Sequence, residues 1–179
     1  MTTLARRIPT LSAGADIAIG AITISSPTSR AAVDPSAYGI WATGPITNLA
    51  PTPAVDWTGG AGLAASSISA HAPGLSAGPA HVASGSGYAE ADQADLRYGA
   101  IEIRSVTATC HEGDTSVRIY GTDGSLALAA GRSVQFGGTR MSVGVVTHFG
   151  DGSTSVSGAM ITGHGEQITV AVARCGAAS

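Results

Sequence analysis

Alternation constrains this chain more than any other feature. In TSVRIYG, Val117 and Ile119 share a parity, as do Leu126 and Leu128 in SLALAAG and Val134 and Phe136 in RSVQFGG. RMSVGVVTHF places Met141, Val143, Val145 and Phe149 on one side, and EQITVAVARC does the same with Ile168, Val170 and Val172. A period of two lines one face of an extended strand, whereas the 3.6-residue period of a helix is nearly absent. Asp123-Gly124, Asp151-Gly152 and Gly137-Gly138 separate the runs with the residues that tight turns demand. Short strands recurring about every ten residues predict an all-β fold, an antiparallel β-sandwich of the Ig-like or jelly-roll-like kind.

The first half is less regular. PITNLAPTPAVDWTGG, with Pro45, Pro51 and Pro53, reads as an extended loop, and HAPGLSAGPAHV reads as a second break. YGIWATG, GLAASSISAH and SGYAEADQADLRYG read as strands. The last is polar on both faces apart from Tyr88, Leu96 and Tyr98, which suits a sheet edge or a position under a loop. The chain divides into an extended N-terminal arm over 1–35 and a single sandwich domain over 36–179. Within the arm, IAIGAITI is strongly strand-forming, with Ile17 and Ile19 on one face and Ile22 and Ile24 on the other after a slip at Gly20-Ala21. Two readings stand for this arm: a first strand of the same sheet, or a strand given to the next subunit.

Composition narrows the function. Charged residues are 12% of the 179, Gly numbers 25, and all nine basic residues are arginine. A net charge of −3 without a basic stripe argues against nucleic-acid partners. Low charge has two sources to weigh, an alanine-rich coding bias or a surface covered by neighbouring copies. No run of about 18 apolar residues offers a membrane span, so no membrane insertion is expected. Arg6 and Arg7 before an apolar stretch imitate an export signal, but Pro9 and Asp16 interrupt it, and the segment reads as mature protein.

Chemistry-bearing patterns are weak. Gly74-Leu75-Ser76-Ala77-Gly78 matches the G-x-S-x-G nucleophile elbow, yet Pro73 and Pro79 flank it and no helical pattern follows. His71, His81, His111, His148 and His164 lack metal-ligand spacing, and no phosphate-binding loop occurs. Without lysine there is no Schiff-base chemistry and no side-chain amine for cross-linking. These absences predict a non-enzymatic protein with no metal and no cofactor. Aromatics are 4%; Trp41 is expected in the core with Trp57 covering it, or the two together as a small binding patch for a glycan or a protein.

The two cysteines, Cys110 and Cys175, both end strand-like runs, AIEIRSVTATC and EQITVAVARC. Neighbouring strands would bring the sulfurs into range, and a pair in an otherwise cysteine-free chain favours a bridge over two buried thiols. AYGIWATGPITNLAPTP, GSGYAEADQADLRYGAIEIRSVTATC and the closing ITVAVARCG resemble the choice-of-anchor P domains of actinobacterial secreted proteins, over about residues 36–177. That resemblance implies pairing of Cys110 with Cys175 and an extracellular or cell-surface setting; it lends no catalytic residues. The expectation is a structural protein whose partners are copies of itself, arranged as a surface fibre or array. A phage virion component, such as a decoration or tail protein, is the alternative setting.

Overall fold

A computed structural model describes residues 34–121 and 130–176. The arm with Ile17, Ile19, Ile22 and Ile24 lies outside the described residues, as does the run carrying Leu126 and Leu128. Thirteen strands follow one another: β1 Ser36–Thr43, β2 Leu49–Asp56, β3 Leu63–Ser67, β4 Ala70–Ala72, β5 Leu75–Ala77, β6 Ala80–Gly85 and β7 Tyr88–Tyr98. Then come β8 Ile101–His111, β9 Asp114–Gly121, β10 Ser133–Phe136, β11 Thr139–His148, β12 Ser153–Gly163 and β13 Glu166–Gly176. They form two antiparallel sheets. One has six strands in the order β10-β11-β12-β13-β1-β2; the other has seven, with β3-β6-β7-β8-β9 as its body and the β4–β5 hairpin joined to the end of β7. The first and last strands thus pair inside one sheet, and the middle of the chain supplies the other. The β-sandwich expected from alternation is the observed fold.

The turns follow local chemistry. Pro73-Gly74 closes the β4–β5 hairpin between Ala72 and Leu75, with Gly74 at φ 75° in the turn position that proline then glycine favour. Glu112-Gly113 and His164-Gly165 close the β8–β9 and β12–β13 hairpins with both residues at positive φ, the twist that matches the flanking strands.

Between the sheets lies a core of small side chains. Among the described residues, eleven of the buried core are alanine, accompanied by Ile40, Leu96, Ile101, Ile103, Val106, Ile161, Ile168 and Val170. β13, paired on both sides, packs across onto β7 and β8. Alanine can fill such a core only where the sheets come close. One row of the six-stranded sheet shows this: Gly144, Gly158, Ala171, Gly39 and Pro53 lie side by side across five strands. A Cβ on Gly158 would collide with Val106 of the facing sheet, and one on Gly39 would sit 2.9 Å from the Ala80 Cβ. The inward set also changes parity at this row, from Ile168 and Val170 to Ala173 and Cys175 on β13, and from Ala159 and Ile161 to Val156 on β12. Ala171, at φ 51°, and Gly144, at φ 62°, carry the backbone change.

Four expectations are corrected. Residues 49–56 form a strand, because β2 is the outer strand of its sheet, where Pro51 and Pro53 need not donate to a second neighbour. β7 lies inside its sheet between β6 and β8, since its small Ala89 and Ala91 point inward while carboxylates point out. Phe149 falls beyond the end of β11 and is exposed, with the Arg174 guanidinium 4.5 Å over its ring. Val172 is turned away from the Ile168–Val170 side by the change at Ala171, yet it stays nearly buried.

Candidate functional site

Cys110 and Cys175 form a disulfide, their Cα atoms 5.7 Å apart. They sit in different sheets, Cys110 on β8 and Cys175 on β13, so the bond crosses the core instead of joining neighbouring strands. Both are fully buried, and the Gly113 N–H donates to the Cys175 sulfur at 3.2 Å. A second internal tie is the buried Glu166 carboxylate, which accepts the N–H groups of Ile46 at 3.0 Å and Thr47 at 3.1 Å. The Thr47 hydroxyl then donates to the Pro73 carbonyl at 2.8 Å, fastening the β1–β2 loop to the β4–β5 turn. These contacts hold the framework.

Trp41 and Trp57 do not form one patch. Trp41 is half-buried and outward on β1, in register with Thr169, because Ile40 and Ala42 take the inward positions. Trp57 follows Asp56, which pairs with Ser36, so the two indoles are separated by about 20 Å along the strand. Trp57 instead clasps its own loop, donating through Nε1 to the carbonyls of Gly60 at 3.3 Å and Ala61 at 3.2 Å. Ser76 sits within β5, in register with His71 and Arg97, and no helix follows it, so the elbow geometry is not built. Among the described residues, no group of three His, Cys, Asp or Glu side chains could hold a metal ion. Nor is any helix long and apolar enough to cross a membrane.

Polar side chains converge on the outer face of the seven-stranded sheet. Register aligns Ser66, His81, Asp92, Thr107 and Arg118 in one row across β3, β6, β7, β8 and β9. Period-two alternation sends all five away from the core, whose neighbours Val82, Ala91, Val106 and Ile119 point inward. Next to this row, the small side chain of Ala94 helps to leave an open depression of about 380 Å³, which Ser66, His81, Asp92, Ser105 and Thr107 also line. Ser66 Oγ and His81 Nδ1 are 3.0 Å apart. Burial first, and then the charge and hydrogen bond of nearby Asp92, hold the Glu90 carboxyl above its ordinary pKa, while His81 opposes the shift. The Tyr88 hydroxyl also donates to Glu90.

The residue types in this row are those of a nucleophile, a base and an acid. Among the described residues, however, the hydrogen bond of the His81 ring is the one to Ser66 and none joins it to Asp92, so the imidazole lacks the orienting contact that activates a serine. As a recognition surface the row is better equipped, with an acceptor in Asp92, a donor in Arg118 and hydroxyls between. Sequence spacing could not reveal it, because the separations between Ser66, His81 and Asp92 are set by loop lengths and register.

Comparison of the chain with protein-family models, with curated proteins and with solved structures gives no match.

Proposed function

We propose that the chain is a non-enzymatic, extracellular structural protein that assembles with copies of itself, the Ile17–Ile24 segment of one copy adding as a strand to β9 of the next. The observation that carries this reading is the asymmetry of the sheet edges. On the six-stranded sheet, β10 has only four residues and β2 contains two prolines, both of which blunt an edge. On the other sheet, β3 has five residues and β4 three, whereas β9 runs for eight residues without proline and, among the described residues, pairs only with β8. An unpaired row of N–H and C=O groups of that length is a template for strand addition. IAIGAITI matches β9 in length and, with four isoleucines, is strongly strand-forming.

The buried disulfide supports an oxidising destination, as does the resemblance to choice-of-anchor P domains. A charge content of only 12% fits a surface partly covered in the assembly. The test is light scattering and electron microscopy of the full-length protein beside Ile19→Pro/Ile22→Pro, whose changes lie outside the described sandwich. Filaments or discrete oligomers that revert to monomers in the variant support the reading. A full-length protein that remains monomeric at its solubility limit overturns it.

A further inference from the structure

We propose that the outer face of the seven-stranded sheet binds an uncharged oligosaccharide in the depression beside the Ser66–His81–Asp92–Thr107–Arg118 row. The volume, about 380 Å³, falls at the small end of the range of ligand pockets, the size for a compact ligand held on an open face. Asp92 offers two acceptor oxygens, which suit a pair of vicinal hydroxyls, and Arg118 offers donors on the far side of Thr107. Among the described residues, neither of these charges is spent in an ion pair; the salt bridges are Arg97–Glu102 and Arg174–Asp151. Ser66 and Thr107 add hydroxyls that donate or accept as the ligand requires.

A face for polyols also needs an apolar plane, and Tyr120 supplies it. It is in register with Ser105, which is in register with Ala94, so its backbone position lies about two strand spacings, or 10 Å, from that of Ala94. Tyr120 is 49% exposed, one of the few large apolar side chains outside the core among the described residues. Opposed charges in one row, with the paired carboxyls of Glu90 and Asp92 nearby, disfavour acidic sugars. Among the described residues, no three-ligand cluster gives a metal ion an equivalent hold. The ligand class left is a neutral glycan.

The experiment is electrophoresis of the full-length protein through gels carrying soluble neutral polysaccharides: xylan, mannan, a mixed-linkage β-glucan and starch. At least one should retard the protein, and Asp92→Ala and Tyr120→Ala should each weaken that binding roughly tenfold or more. Thr107→Val, which keeps the side-chain shape, should weaken it as well, while thermal unfolding checks that the variants remain folded. Gln135→Ala, on β10 of the other sheet, should bind as the parent does. No retardation by any of the four, or retardation unchanged in both Asp92→Ala and Tyr120→Ala, overturns the proposal. So does loss on Trp57→Ala with Asp92→Ala unaffected, which would place the sugar elsewhere.

Discussion

Replacing both cysteines by alanine measures how much of the sandwich depends on one covalent tie. The bond spans 65 residues, and closing a loop of that length lowers the entropy of the unfolded chain by an amount worth about 4 kcal/mol at room temperature. Both sulfurs are fully buried, so their removal also leaves small voids, adding roughly 1 kcal/mol. For a domain of this size each kcal/mol moves the melting temperature by about 2–4 °C, so Cys110→Ala/Cys175→Ala should melt roughly 10–20 °C lower. Urea titration of both proteins separates the contributions. The variant should show a lower midpoint together with a steeper dependence, because its unfolded state exposes more surface. Burial adds a kinetic signature: native protein should retain the bond in dithiothreitol and lose it only once urea opens the sandwich. A loss below about 1 kcal/mol, or rapid reduction of the native protein, would refute the reasoning that the bond restrains the unfolded chain and is shielded in the folded one.

Two further outcomes follow from packing and charge. Gly158→Ala should destabilise by about 1–3 kcal/mol in urea melts, because its methyl meets Val106 of the facing sheet; Val106→Ala should rescue part of that loss, giving a non-additive double-mutant cycle. Glu90, whose pKa is raised in the fold, stays protonated longer than in the unfolded chain, so its contribution to stability falls as pH rises from the ordinary carboxylate range through the folded value. Glu90→Gln should flatten that decline and leave the acid limb unchanged. On that limb Asp151, held low by the Ser153 hydroxyl and N–H and then by Arg174, loses its contribution as pH falls below the ordinary aspartate value. Thermal melts from acid to neutral pH check both slopes.

Alternation made the strands around Val117, Val143 and Ile168 legible, and the cysteine pair was legible as a bridge. Three things were not, each for a physical reason. The strand propensity of β2 was masked by prolines that only an outer strand tolerates, and no local pattern says which strand is outermost. β7 looked two-faced because alanine is too small to announce a buried face, although Ala89 and Ala91 are among the least exposed residues. The parity change at Gly39, Ala171, Gly158 and Gly144 shows as a slip in each strand alone, and as one row only when the strands are aligned. The Ser66–His81–Asp92 row shares that dependence on register, so sequence spacing carries no trace of it.

Pairing Ser36 with Arg174 puts the outer ends of β1 and β13 side by side. Tension between Ser36 and Gly176 would therefore peel the ladder one rung at a time, the weak direction for a sheet, instead of shearing all its rungs together. The cross-core bond changes what happens next, because load arriving at Cys175 transfers through sulfur to Cys110 and bypasses the whole segment between them. Under pulling, the sandwich would yield early and then stop short, because only the stretch from Ser36 to Cys110 could unravel before load reached the sulfur bridge, a fuse with a built-in stop.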